Sequence, residues 1–75
     1  MTIVSQDRLS VINFDNVATF DANIPECPNQ LVATFPTGKG VPIGKFKDDV
    51  RLKAVIDQFI HAYDDGNKVF FVPKD

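Results

Sequence analysis

The fold is decided by the stretch DDVRLKAVIDQFIHAYDDG, residues 48–66. Asp48 can cap the first turn of a helix, and Gly66 can adopt the left-handed conformation that ends one. Between them, apolar side chains recur every three or four residues, as on a helix with one buried face. This stripe comprises Leu52, Val55, Ile56, Phe59, Ile60 and Tyr63. The pattern predicts an amphipathic helix over residues 48–64.

The rest of the chain follows the period of two that is typical of strands. Strands are predicted over residues 2–5, 9–14, 17–24, 31–35 and 41–46, and a last strand over residues 68–72 follows the helix. Asp15 and Asn16 favour a turn, and the prolines within residues 25–29 are expected to break any strand ladder. Pro42 is expected on an edge strand or at a bulge. The sequence therefore predicts an α+β fold, in which an antiparallel sheet of about five to six strands packs on a single C-terminal helix.

The length of 75 residues predicts a single domain, residues 1–75, with little apolar material to spare. Cys27 is the only cysteine, so an internal disulfide is excluded. One cysteine and one histidine also make a structural zinc site unpromising, which leaves close packing or self-association as the source of stability. The unpaired cysteine favours the cytoplasm. We expect neither a signal peptide nor a membrane partner, because no apolar run approaches the roughly 20 residues that cross a bilayer.

The charge of the chain disfavours nucleic acid as a partner without excluding it. The formal net charge is −2, and the basic side chains are scattered along the sequence rather than clustered. Binding to nucleic acid depends on an electropositive surface. Such a surface requires the basic side chains to converge on one face after folding; the candidates are Arg8, Lys39, Lys45, Lys47 and Lys53.

The last strand carries four consecutive apolar residues, Val69, Phe70, Phe71 and Val72, so both of its faces are apolar. In a two-layer domain one face of a sheet packs on the helix and the other is expected to be wetter. The strand is therefore either inside the sheet, with its far side covered, or part of a contact with another chain. These four residues form the candidate interaction surface.

Other motifs have simpler interpretations than chemistry. Residues 37–40 read TGKG but lack the first glycine and the following Ser or Thr of a phosphate-binding loop, so a hairpin turn is expected. Cys27 and His61 are interpreted as a loop thiol and a surface histidine rather than a nucleophile and its base. The acidic side chains near His61, those of Asp57, Asp64 and Asp65, are interpreted as solvated. We expect no catalytic residue, cofactor, metal or small-molecule ligand.

Several segments together resemble a known group. Residues 3–7, residues 11–17, the glycines Gly38 and Gly44, the helix and residues 71–74 are similar to short uncharacterised proteins of Gram-positive (Firmicutes) bacteria and their prophages. Residues 25–28, which include Cys27, depart from that pattern. The resemblance implies a phage-related bacterial protein without assigned activity. The order of strands and helix is also loosely similar to pleckstrin-homology-like domains.

These observations favour a non-enzymatic protein-binding module that is able to self-associate, with a phage-related role. The alternative is a nucleic-acid accessory protein that uses the basic side chains named above. A third and least favoured hypothesis is a small hydrolase that uses Cys27 and His61.

Overall fold

A computed structural model describes residues 1–75, with the side chain of Asn23 outside the description. The described strands are β1 (Thr2–Val4), β2 (Val11–Asn13), β3 (Thr19–Ile24), β4 (Cys27–Thr34), β5 (Gly40–Lys45) and β6 (Val69–Phe71), and the helix α1 (Asp49–Asp64) precedes β6. The α+β class is confirmed, but the prediction of one antiparallel sheet is wrong. The strands form two sheets of three, ordered β2-β1-β6 and β3-β4-β5. We call the first the terminal sheet and the second the hairpin sheet.

The split into two sheets follows from how the strands pair. β1 pairs antiparallel with β2 and parallel with β6, so the two ends of the described chain lie side by side in the terminal sheet. The hairpin sheet is antiparallel throughout and is built from neighbours in sequence. Its strands therefore need only short turns, whereas the β1–β6 pair requires closure of a long loop.

The two ends of α1 form as the sequence predicts. The Asp48 carboxylate accepts the N–H of Arg51 at 2.9 Å, which caps the first turn. At the other end Gly66 has a φ of 76°. Its N–H donates to the Tyr63 carbonyl at 3.1 Å, and the N–H of Asn67 donates to the Ala62 carbonyl at 3.0 Å. This is the Schellman arrangement, in which a left-handed residue satisfies the last free carbonyls of a helix.

The buried face of α1 is narrower than the predicted stripe. Leu52, Val55, Phe59 and Ala62 are buried, whereas Ile60 is 55% exposed and Tyr63 is 58% exposed. The buried residues follow alternating steps of three and four, which is the narrow seam of a helix that contacts its neighbours along one line. The expectation that Ile60 belongs to this face is therefore wrong, because the small sheets cover only the seam. Tyr63 lies beside the seam, and its ring still contacts those of Phe14 and Phe59, with centroid separations of 5.7 and 6.4 Å.

One core joins the helix to both sheets. Its members from the sheets and the segments beside them are Ile3, Ile12, Leu31, Ala33, Ile43, Phe46 and Val72. The Phe59 ring contacts Phe14 and Phe20 with a 4.9 Å separation between centroids in each case, and Phe70 at 5.3 Å. The tilted or edge-on geometry of these contacts is the favourable one for aromatic pairs. Phe59 therefore links the helix to strands of both sheets.

Residues 25–29 interrupt the regular ladder as predicted, except that Cys27 retains a partner and lies within a strand. β4 begins at Cys27, which pairs with Ile24 across a turn at residues 25–26. The next register pair is Ala22 with Leu31, so β4 places more residues than β3 between the two pairs. Pro28 lies in this bulge, and Asn29 within it has a φ of 59°. A bulge needs no regular N–H donor, which explains why a proline is accommodated.

The positions of the other turns agree with the prediction, but their conformations were not predicted. Gly38 has a φ of 91° in the β4–β5 hairpin, where the Phe35 N–H donates to the Lys39 carbonyl at 2.9 Å. Pro42 lies on the edge strand β5 beside a register shift, as expected. The turn after β2 is a 3₁₀ helix, Phe14–Asn16, and its cap is Asn13, whose side chain accepts the Asp15 N–H at 3.0 Å. Strand β2 is consequently shorter than predicted.

Candidate functional site

Strand β6 lies at the edge of the terminal sheet and divides the predicted interaction surface in two. Val69 and Phe71 are 43% and 55% exposed. Phe70 points the other way and contacts Phe59, and Val72 is fully buried. The alternation confirms that both faces of the strand are apolar. The alternative that β6 lies inside the sheet is wrong, because nothing in the sheet pairs with its far side.

The register places other apolar side chains beside Val69 and Phe71. Val4 lies opposite Phe71 on one side and opposite Val11 on the other. Side chains directly opposite one another share a face of the sheet. We use the name outer face for the side of the terminal sheet that is turned away from the core. By the register it consists of Thr2, Val4, Val11, Asn13, Val69 and Phe71.

Val11 is 70% exposed on the outer face, but it was not among the residues predicted from the sequence to form the candidate interaction surface. The signal for it was present: Ile12 is buried, so its neighbour in a strand must face outward. Leu9, at the tip of the turn before β2, is 84% exposed.

The hairpin sheet differs in this respect. On its outward side Asp21 accepts hydrogen bonds from the hydroxyls of Thr19 at 2.9 Å and of Thr34 at 3.4 Å. Polar side chains are what a solvated sheet face is expected to carry. The apolar outer face is therefore a property of the terminal sheet in particular, and not of this small fold as a whole.

A tight turn between β1 and β2 brings a cation to the outer face. The Ser5 hydroxyl is buried, donates to Asp7 Oδ1 at 2.6 Å and accepts the Ser10 N–H at 3.0 Å. Asp7 Oδ1 also accepts the Leu9 N–H at 2.9 Å. The bond from Ser5, followed by the one from Leu9, holds the pKa of the Asp7 carboxyl below its ordinary value.

Arg8 occupies the strained position of this turn. Its φ is 66°, a left-handed backbone conformation that is uncommon for residues other than Gly, Asn and Asp. The guanidinium carbon lies 5.0 Å from the centre of the Phe71 ring, within the range of a cation–π contact. The turn therefore holds a positive charge at the rim of the outer face.

The backbone of β6 is open toward solvent. The Thr2 N–H donates to the Lys68 carbonyl at 2.8 Å, and the Val72 N–H donates to the Val4 carbonyl at 2.9 Å. In a parallel pair, every second residue of a strand directs both its N–H and its C=O toward the neighbouring strand, and the residues between them direct theirs away from it. Phe70 consequently faces β1 with its N–H and C=O, whereas those of Val69 and Phe71 point away from β1 to the free edge. The same two residues present both apolar side chains and unused peptide groups.

The remaining predicted residues are not brought together. Cys27 is half-buried at the start of β4, and His61 is exposed on α1; no hydrogen bond among the described residues joins them. Asp57, Asp64 and Asp65 are also exposed. In the part of the chain that the structure describes, no group of three or more His, Cys, Asp or Glu is placed to hold a metal ion.

The basic side chains considered for nucleic acid lie on separate elements. Arg8 is in the β1–β2 turn, Lys39 in the β4–β5 hairpin, Lys45 at the end of β5, Lys47 before α1 and Lys53 in its first turns. Only Arg8 adjoins the outer face through a described contact.

The structure also contains a shallow depression of about 150 Å³ between the Gln6 segment and β5. The Gln6 amide nitrogen donates to the carbonyls of Lys45 at 2.9 Å and Pro73 at 3.0 Å, and its oxygen accepts the Lys45 N–H at 2.9 Å. All three contacts hold parts of the chain together. The amide of Gln6 is therefore a structural link between β5 and the C-terminal segment.

Comparison with known proteins found no matching family model, no matching curated protein and no matching solved structure. Within the described residues, no helix combines the length and the apolar character needed to cross a membrane. The outer face and the open edge of β6 therefore stand as the candidate functional site on the geometry alone.

Proposed function

We propose that the protein is a non-enzymatic interaction module whose contact surface is the outer face of the terminal sheet. The observation that supports this is the row Phe71–Val4–Val11, two members of which are more than half exposed. Covering side chains of this kind contributes on the order of 2 kcal/mol each. A small domain with a limited core gains by burying such a row in a complex.

The composition of the surface fits protein recognition. Aromatic residues and arginine are enriched at protein interfaces, and Arg8 and Phe71 are already in contact with each other. A guanidinium in contact with a ring can still donate its N–H groups to a partner. A nucleic-acid role has less support, because only Arg8 among the basic side chains considered is tied to the outer face by a described contact, and because the net charge of the chain is −2.

A lysine at Val11 tests the proposal. Val11 is 70% exposed on the outer face, and Val50 is 77% exposed on α1, away from that face. Val50→Lys is therefore a matched control of the same chemistry. Immobilised wild-type protein is expected to capture a defined partner from an extract of its native cells. Val11→Lys should weaken that capture about tenfold, as the loss of one buried apolar side chain implies.

The control decides the interpretation. Both variants should keep the circular dichroism spectrum and unfolding midpoint of the wild type, because both side chains are exposed. Equal capture by Val11→Lys and wild type would remove the outer face as the contact surface. Equal losses in the two variants would indicate non-specific adhesion instead of recognition.

The resemblance of residues 3–7 and 11–17 to phage-related bacterial proteins supports a further part of the proposal, namely an accessory role in a phage or prophage. The single cysteine supports action in the cytoplasm. We also propose that Cys27 and His61 have no catalytic part, which predicts that Cys27→Ala leaves every assayable hydrolase activity unchanged.

A further inference from the structure

We infer that a partner of this site is a second copy of the chain, joined by antiparallel pairing of β6 with β6. The pairing would extend the two terminal sheets into one continuous sheet, ordered β2-β1-β6-β6-β1-β2. This inference rests on the proposed function and gives it a specific partner. Two observations support it: the N–H and C=O groups of Val69 and Phe71 point to the free edge of β6, and the side chains of the same two residues are apolar and exposed.

The free edge of β6 is complementary to itself. Val69 and Phe71 flank Phe70, and each directs its N–H and C=O away from β1, as the Lys68 and Val72 hydrogen bonds require. When two such strands run antiparallel about a two-fold axis at Phe70, Val69 of one copy lies opposite Phe71 of the other. Every outward N–H then meets an outward C=O. No outward peptide group of Val69 or Phe71 is left over.

The side chains favour the same register. Val69 and Phe71 share a face, so the pairing places a valine of one copy against a phenylalanine of the other. Cross-strand pairs of an aromatic with a β-branched residue stabilise sheets. β6 carries no charged residue, so the two strands meet without like charges opposite each other. The two outer faces also become one continuous apolar surface.

Both edges of the hairpin sheet are protected in ways that β6 is not. On β5, Pro42 has no N–H, and Gln6 occupies the edge by donating its N–H to the Ile43 carbonyl at 2.8 Å. On β3, Asp21 places a charge in the middle of the strand. Proline, charge and covering segments are the devices that prevent edge-to-edge pairing. The remaining edge, β2, has neither a proline nor a charged residue. Self-pairing of β2 about Ile12 would place the apolar Val11 opposite the polar Asn13, whereas β6 places Val69 opposite Phe71.

The contact is short, so the dimer must be weak. Pairing of three-residue strands falls below the usual size of a stable interface. We expect a dissociation constant on the order of 100 µM, and therefore association that grows with protein concentration. A weak contact of this kind is compatible with exchange for another partner at the outer face.

The deciding variant is Val69→Pro. Proline removes the outward N–H and adds bulk at the free edge, and it sacrifices no bond to β1 because the Val69 N–H does not face that strand. Val69→Thr is the matched control, since it keeps the N–H and the branched shape. Sedimentation equilibrium is expected to show dimer for wild type and Val69→Thr. Val69→Pro should raise the dissociation constant at least about tenfold, the equivalent of one or two lost hydrogen bonds.

Amide hydrogen exchange supplies a second readout. In the monomer the N–H groups of Val69 and Phe71 face solvent, whereas that of Phe70 faces β1. Raising the concentration of the wild type should slow exchange at Val69 and Phe71 and leave Phe70 unchanged. In Val69→Pro the exchange of Phe71 should stay fast at all concentrations, while unchanged protection of Phe70 reports that the sheet has kept its fold.

Three outcomes overturn the inference. A protein that stays monomeric up to about 1 mM has no such pairing. A dimer that survives Val69→Pro pairs elsewhere. A dimer lost in Val11→Lys but kept in Val69→Pro packs face to face. The last result would overturn the β6 pairing but still support the outer face as a contact surface. A monomer that captures another protein through Val11 would likewise overturn the pairing and support the proposed function.

Discussion

Gly44 lies where β5 passes closest to the segment after β6, and a single methyl group there should be costly. A Cβ atom at Gly44 would lie 2.8 Å from Val72 Cγ1 and 2.9 Å from the nearest atom of the Phe46 ring. Both neighbours are buried core residues and cannot move aside into solvent. Overpacking of this kind destabilises by about 1–3 kcal/mol. For a domain of this size, that is a fall of roughly 4–24 °C in the unfolding midpoint.

Gly40→Ala is the control for this substitution. Its added Cβ would meet Val32 Cγ1 at 3.2 Å, so the buried Val32 side chain needs to shift by only a few tenths of an ångström, less than the neighbours of Gly44 would need to. Urea denaturation of both variants is expected to show a lower midpoint for Gly44→Ala with an unchanged slope. Gly40→Ala should stay within about 1 kcal/mol of the wild type.

The double variant Gly44→Ala with Val72→Ala tests the cause. Val72→Ala removes one of the two groups that the new methyl group strikes, while the Phe46 ring remains. The loss of stability in the double variant should therefore be smaller than the sum of the losses in the two single variants, by about 1 kcal/mol. Strict additivity, or a Gly44→Ala variant as stable as Gly40→Ala, would refute the steric argument and with it the close approach of β5 to Val72.

Two further predictions concern the turn that carries Arg8. Arg8→Gly should be more stable than Arg8→Ala by about 1 kcal/mol in urea denaturation, because glycine relieves the left-handed conformation and alanine keeps it; equal stabilities would mean that the turn rearranges. The pKa of Asp7 is lowered on folding, so the ionised carboxylate stabilises the native state above the ordinary carboxyl pKa, and this stabilisation is lost as the pH falls through the folded value. The stability difference between wild type and Asp7→Asn should therefore shrink on acidification, and a difference independent of pH would contradict the assignment.

Local signals in the sequence were sufficient for α1 and for most turns. Asp48 and Gly66 act within a few residues of their own positions, so their roles can be read without tertiary information. The existence of two sheets could not be predicted in the same way. It depends on the pairing of Thr2 with Val69, which no local pattern encodes.

The candidate site was predictable only in part for the same reason. The alternation in β6 predicts that Val69 and Phe71 share a face. Their proximity to Val11 depends on the registers of both β1 pairs. The placement of Arg8 over Phe71 requires a left-handed residue that its amino-acid type disfavours. Surfaces assembled from distant segments are therefore the least accessible to reasoning from sequence.

The parallel β1–β6 pair has a consequence for biosynthesis. Thr2 and Val69 meet only after nearly the whole described chain has been made, so the terminal sheet is the part of the molecule with the greatest sequence separation. A nascent chain can build the β3–β4–β5 hairpins early, but it cannot display the row of Val11, Val4 and Phe71 until β6 has been synthesised. A fragment that stops before Phe71 therefore has no complete outer face.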